Sequence, residues 1–201
     1  MSAYFIALEG ARIDALIVGG GAVAERKARA LHDAGAHVRV VAPAPCAGLR
    51  ALADERLTIV ERSFADGDIG TATLVLAATD QAEVNRRVAV AAQAVGRLVN
   101  VVDDATGGTF VTVATHRAGD LVVAVTAGGV PGIAARVRDA LAQRFDARYA
   151  RAVDSLSALR RRLLDAGRRD DWHRAADELL GETFCDAVES GTLTQELAAW
   201  L

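Results

Sequence analysis

Short apolar runs alternate with longer stretches in which apolar residues return every three or four positions, and this change of rhythm organises the chain from Ile13 to Val102. The runs IDALIV (from Ile13), HVRVVA (His37 to Ala42), LTIVER (Leu57 to Arg62), LVLAA (Leu74 to Ala78) and LVNVV (Leu98 to Val102) predict five strands. Helices are predicted from the glycines at 19–21 to Gly35, over residues 48–55, and from Gln81 to Val95 with Gly96 as the stop. Strands alternating with helices in this way predict an α/β fold with a parallel sheet. Along the first helix Val23, Lys27, Ala30 and Ala34 form one line and Ala24, Ala28 and Leu31 the next, so small apolar residues face the sheet. Asp80 reads as the N-cap of the helix that follows it.

After Gly107-Gly108 two further β runs are expected, Thr109 to Thr115 and Leu121 to Thr126, joined by HRAGD. A helix from Pro131 to about Phe145 follows, with proline in its first turn. Beyond residue 146 the chain reads as short helices divided by Gly167, Gly181 and Gly191, with Leu156, Leu159 and Leu163 as an apolar stripe. Thr192 and Gln195 have the spacing of a capping box for the last of them.

Gly19, Gly21 and Ala24 occupy the three small-residue positions of G-x-G-x-x-G/A between the first strand and its helix. Gly19 makes the tight turn in this reading, Gly21 lets a pyrophosphate approach, and Ala24 lets helix and strand pack closely. The candidate cofactor-binding residues are therefore Gly19, Gly20, Gly21, Ala22 and Val23, with Thr79 where a dinucleotide would pass. An NAD site ordinarily carries an acid at the end of the second strand, and here Ala42-Pro43-Ala44 stands instead. Ribose contacts then fall to backbone groups near Pro43 and Ala44, and the choice between NAD and NADP stays open. Arg39, inside the strand, reads as structural. Asp103 and Asp104 leave the fifth strand at its carboxyl end, where ligands of open parallel sheets lie. Gly128-Gly129 before Pro131 is a second anion site or simply a tight turn.

Composition narrows the partners. A net charge of -3 shows no basic excess, which argues against nucleic acid. No apolar run approaches the roughly 18 residues needed to span a membrane, and the first residues lack the pattern of a signal peptide, so a soluble cytoplasmic protein is expected. Cys46 and Cys185 read as ordinary thiols. His32, His37, His116 and His173 lack metal-ligand spacing, so no protein metal site is expected. Lys27 is the only lysine, and neither Tyr4 nor Tyr149 has a lysine four residues on, which excludes a Tyr-x-x-x-Lys pair. Arg26, Lys27 and Arg29 read as a solvated helix face, as do Arg160 to Arg162.

Taken together, GGGAVAERKARAL, LAATD, VNVVDD and AVTAGGVPGIAARVRDAL, in this order, resemble the precorrin-2 dehydrogenase and sirohydrochlorin ferrochelatase family, which also forms the N-terminal part of siroheme synthases. The resemblance spans about residues 4–146, and the rest matches only as a helical tail. It implies a Rossmann-like domain over 1–113, a segment mediating homodimerisation over 114–146, and a C-terminal helical domain over 147–201. It also implies NAD-dependent oxidation of precorrin-2 to sirohydrochlorin, with ferrous iron as a further substrate in members that go on to siroheme. Aromatising the macrocycle releases a hydride and a proton, so a carboxylate base is needed beside the cofactor. The resemblance gives that role to Asp103, with Asp104 supporting or structural, and it gives substrate contacts to Asn100, Thr126, Gly128 and Gly129. Two departures stand out: Ala127 replaces a second hydroxyl after Thr126, and Gly108-Thr109-Phe110 with Val113 replace a Cys-Ser-Phe run and a nearby proline. The rival readings are a dinucleotide-sensing module without catalysis and a chelatase without dehydrogenase activity.

Overall fold

The computed structural model describes residues 4–102, Asp104 and 106–200. Strands β1 (Asp14–Val18), β2 (His37–Val41), β3 (Leu57–Val60), β4 (Leu74–Ala77) and β5 (Leu98–Val101) form one parallel sheet in the order β3-β2-β1-β4-β5. Their registers bring Val60, Val41, Val18, Ala77 and Val101 into a single row. Every strand therefore hands its chain to a loop at the same sheet edge, and the direction of winding reverses between β1 and β4. That reversal is where ligands of doubly wound sheets are held.

Strand periodicity divides the core into two layers. Ala15, Ile17, Val38, Val40, Leu57, Leu74 and Leu76 pack beneath helices α1 (Ala22–Asp33) and α2 (Ala47–Ala51), joined by Ala24, Ala28 and Leu49. Leu16, Val18, Val41, Val75, Val99 and Val101 pack on the other face with Val88, Ala89 and Ala92 of α3 (Ala82–Ala94). Of the two lines expected to face the sheet from α1, the one with Ala24 and Ala28 buried and Leu31 half-buried is the one that packs on it. Ala30 and Ala34 of the other are exposed, because a helix lying on a flat sheet buries one narrow stripe.

A second compact unit begins at Val113, and the first ends at Thr112. In it β6 (Ala114–Ala118) and β7 (Leu121–Val125) form an antiparallel hairpin closed by Gly119-Asp120, with Gly119 at φ +58°. This moves the first strand of the pair later than Thr109–Thr115, because the two-residue loop takes residues within HRAGD as its turn. Residues 109–110 are held elsewhere: Thr109 N and Phe110 N both donate to Val99 O, and Val99 N donates to Thr109 Oγ1. Helix α4 (Pro131–Arg144) packs on the hairpin. The helices α5 (Ala147–Asp165), α6 (Arg169–Leu179), α7 (Phe184–Ser190) and α8 (Leu193–Ala198) enclose Tyr149, Leu156, Leu159, Leu163, Leu179, Val188 and Leu197. The capping box expected at Thr192 is absent: its backbone is already helical, and its hydroxyl lies 3.3 Å from that of Ser190.

One buried charge ties β2 and β3 to the following turn. Asp68 is 4% exposed and accepts two hydrogen bonds from Arg62 (2.8 and 2.6 Å) and one from Ala65 N (2.8 Å). Arg39 donates to Asp68 O and lies 3.8 Å from its carboxylate, so Arg39 is engaged structurally. The Arg62 hydrogen bonds, above all, hold the Asp68 carboxyl down to about 2. A carboxyl with a depressed folded-state pKa contributes stability above its unfolded value, and loses it as pH falls toward the folded value. Asp68→Asn should therefore cost about 1–3 kcal/mol at pH 7. Chemical denaturation at pH 7 and near pH 2 checks this: the gap between variant and wild type should shrink at the lower pH, and a gap independent of pH would refute it.

Candidate functional site

The turn between β1 and α1 is shaped by what it cannot accommodate. Gly19 has φ +138°, and a Cβ there would sit 2.2 Å from Ala78 O at the end of β4. A Cβ on Gly20 would lie 2.5 Å from Ala44 O, after β2. Cys46 N donates to Gly20 O at 2.8 Å, which fastens the Pro43-Ala44 segment against the glycines. Gly21 differs from both: its backbone is extended, and a Cβ there would meet no heavy atom within 4 Å.

Gly21 is also the N-cap of α1, with no side-chain capping bond. Glu25 N is the first helical donor to find its acceptor, Gly21 O, at 3.0 Å. The N–H groups of Ala22, Val23 and Ala24 thus face the open side of the turn together with the positive helix end. Open space at Gly21 beside uncapped donors fits a pyrophosphate, so Gly19 to Val23 are brought together as a dinucleotide cradle would require. Pro43 and Ala44 are exposed beside it.

Thr79 follows β4 at the same edge, but its hydroxyl is engaged. It donates to Asn85 Oδ1 (2.7 Å) and accepts from Gln81 N (3.1 Å), while Asn85 Nδ2 donates to Thr79 O (3.0 Å). Asp80 is exposed and is not the N-cap of α3; Gln81 holds that position, and the Thr79 hydroxyl satisfies its N–H in place of a cap. Asn85, 5% exposed, is the residue that fixes this junction, and the sequence reading did not single it out. Its one signal is an asparagine inside a helix, a place it occupies poorly without a partner.

At the end of β5, Asn100 is 7% exposed, with its amide used at both ends. Its Oδ1 accepts from Lys27 Nζ at 2.8 Å and its Nδ2 donates to Phe110 O at 3.1 Å. Lys27 is therefore no solvated surface residue: it is drawn inward to β5, and it also reaches Thr112 Oγ1 at 3.3 Å. Desolvation, then repulsion from Arg26, lowers its pKa. Its place on the line Val23–Lys27–Ala30 was the available clue. Asp103 lies outside the described residues. Asp104 Oδ1 accepts from Thr106 N (3.0 Å), Thr106 Oγ1 (2.7 Å) and Gly107 N (2.9 Å), and these bonds, the Thr106 hydroxyl first, hold its carboxyl below the usual range. Asp104 builds a turn.

Thr126, Gly128 and Gly129 belong to the second unit. Both glycines have positive φ, +54° and +88°, and Val130 N closes on Ala127 O at 2.9 Å before α4 starts, so the run forms a tight turn. Among the described residues no group of three or more His, Cys, Asp or Glu side chains could hold a metal ion, and no helix is long and apolar enough to cross a membrane.

Comparison with known proteins accords with this geometry. Residues 5–114 match the family described as "Putative NAD(P)-binding". The chain is 40% identical over 183 residues to a siroheme synthase of Chromobacterium violaceum, covering 88% of this chain and 38% of that protein. It is 41% identical over 151 residues to a siroheme synthase of Pseudomonas paraeruginosa, covering 74% and 32% respectively. The chain thus spans well under half the length of these curated relatives. The fold matches the solved structure of SirC, a precorrin-2 dehydrogenase, with a TM-score of 0.78 at 22% identity, over 98% of this chain and 100% of that one.

The contrast among the glycines yields a test. Gly21→Ala should leave the melting temperature near that of the wild type yet weaken dinucleotide binding at least about tenfold, because its methyl group would occupy the open space beside the uncapped start of α1. Gly19→Ala should lower the melting temperature as well, since its φ and the Ala78 carbonyl both oppose a side chain. Calorimetric titration with NAD, beside thermal melts of both variants, distinguishes the two.

Proposed function

Because the chain belongs to the NAD(P)-binding family that its residues 5–114 match, we propose that it oxidises precorrin-2 to sirohydrochlorin with NAD as the hydride acceptor. The observation that carries this reading is the common strand row. The uncapped start of α1 and the carboxyl end of β5 open on one sheet edge, so a cofactor cradled by Gly19 to Val23 would lie at the edge where β5 ends. The siroheme synthase relatives supply the substrate class.

When bound, NAD would supply the acceptor for the hydride that the oxidation releases. The chain's own part is to hold the pyrophosphate on the N–H groups of Ala22, Val23 and Ala24, with the dipole of α1 behind them, and to let the ribose lie along Pro43 and Ala44. Thr79, locked by Asn85, keeps the β4 exit in place beneath the cofactor. Asp103 accepts the proton that the ring loses as the hydride departs, so the oxidation balances as one hydride and one proton. Support for Asp103 over its neighbour comes from Asp104, whose carboxylate is committed to the Thr106–Gly107 turn. Thr126, Gly128 and Gly129 are proposed as substrate contacts. Ferrous iron enters this reading as a second substrate, ligated by the macrocycle nitrogens, and a cytoplasmic location goes with it.

Anaerobic incubation with precorrin-2 and NAD, followed through the chromophore, tests the activity directly. Asp103→Ala should lower turnover about 10²- to 10⁴-fold, the usual worth of a positioned base, while NAD affinity stays within about twofold. Unchanged turnover in that variant would remove Asp103 from the mechanism. Adding ferrous iron with and without NAD to sirohydrochlorin in the same assay reads out chelation separately.

A homodimer formed through residues 114–146 is proposed with it. The hairpin has only two strands, and Val122, Val130, Ile133 and Val137 are 43–54% exposed on it and on α4 with its lead-in. A two-stranded ribbon with an apolar face needs cover to be stable in water. Sedimentation of the wild type should give twice the chain mass, and Val122→Asp combined with Ile133→Asp should give a monomer.

A further inference from the structure

Lys27 is the only lysine in 201 residues, and the fold draws it inward. Its ammonium has three donors and two acceptors, Asn100 Oδ1 and Thr112 Oγ1, both neutral. Among the described residues no carboxylate pairs with it, and the charge of Arg26 repels it. A mere tie between α1 and the β5 end would need no charge. A neutral amide could bridge the same oxygens without the cost of desolvating an ammonium. Asn100, for its part, is 7% exposed and spends its oxygen on Lys27 and one N–H on Phe110 O. Buried and bonded at both ends of its amide, it aims the cation.

We propose that Lys27 is the anchoring cation for one carboxylate of the substrate beyond the end of β5, and that Asn100 and Thr112 are positioning residues that hold its ammonium there. The proposal rests on the tetrapyrrole reading, whose substrate is a ring bearing many carboxylates. Asn100 sits one residue before the row in which all five strands end, so an ammonium bonded to it lies at the substrate end of the sheet. Its partners are on β5 and the segment after it, not in the glycine turn, which separates this charge from the pyrophosphate cradle. The remaining N–H meets a carboxylate as a charge-assisted hydrogen bond, stronger than either bond to its neutral holders.

A chain with one lysine gives one side-chain ammonium signal when labelled with [¹⁵N]lysine. Sirohydrochlorin is titrated into the labelled protein while its visible band and the Lys27 Nζ resonance are both followed. The resonance should shift in step with saturation of the band. Lys27→Met should weaken sirohydrochlorin binding about ten- to hundredfold with NAD affinity unchanged, and Lys27→Arg should recover part of the loss. Asn100→Asp is a companion: it keeps an acceptor for Lys27 and neutralises its charge, so it should weaken sirohydrochlorin binding, while its melting temperature reads separately the cost of losing the hydrogen bond to Phe110 O. A band that saturates while the Lys27 signal stays still, with Lys27→Met binding as the wild type does, would reduce Lys27 to a structural tie and overturn the proposal. A signal moved by NAD alone would also overturn it, assigning the charge to the cofactor. If the wild-type protein produces no change in the band at all, the tetrapyrrole reading itself fails, and this inference falls with it.

Discussion

The contact on which the rest depends is the approach of the β1–α1 turn to the Ala78 carbonyl at the end of β4. Two parallel strands that diverge into opposite connections leave a crevice between their ends, and the turn must cross it without a side chain. Gly19 permits this, and its positive φ swings the chain so that α1 begins directly over the crevice. Helix position, uncapped donors and the line of Ala24 and Ala28 against the sheet all follow from that bend. Large side chains at those alanines would lift α1 away from β1 and move the donors with it.

Around that turn the structure divides its polar groups into those that hold and those left to act. Asn85 holds Thr79, Thr106 and Gly107 hold Asp104, and Arg62 holds Asp68. Each of these groups has its hydrogen-bonding capacity largely spent within the protein. The helix start at Gly21 and the third donor of Lys27 are different, because no acceptor for them is found among the described residues. A buried or half-buried polar group without a protein partner is costly, and such costs are met where a ligand completes the bonding.

The sheet was legible because β-branched apolar runs of four to six residues announce strands whatever surrounds them, and the glycine turn because its three small residues are local. Register, order and reversal follow from these by general rules of parallel sheets. What escaped was set by distance along the chain or by competition between neighbours. Lys27 and Asn100 are 73 positions apart, and their meeting requires β5 to sit beside β4 with Asn100 on the α1 face. Asp80 has the side chain of a good cap, yet Thr79, one residue earlier, had its hydroxyl already placed by Asn85. At Thr192 the backbone was helical one residue too soon for its hydroxyl to turn inward. In the 109–118 region the apolar pattern signalled a strand but misplaced it, since residues 109–110 are bonded to Val99 of β5 and the hairpin turns at Gly119-Asp120, which sets the strand at Ala114–Ala118.

The end of β2 carries a further meaning. Pro43 and Ala44 stand beside the cradle, and the Gly20 backbone holds their segment in place through Cys46. In a site with an acid at that position, the carboxylate does two things at once: it grips a ribose hydroxyl and it turns away a phosphate on the same carbon. Removing it removes the gatekeeper along with the grip. On the proposed reading, the adenosine half of the cofactor would be held there by shape and backbone groups. This strand end then carries no acid to select between the two nicotinamide cofactors, and one new charge at Pro43 or Ala44 would introduce a preference whose direction follows its sign.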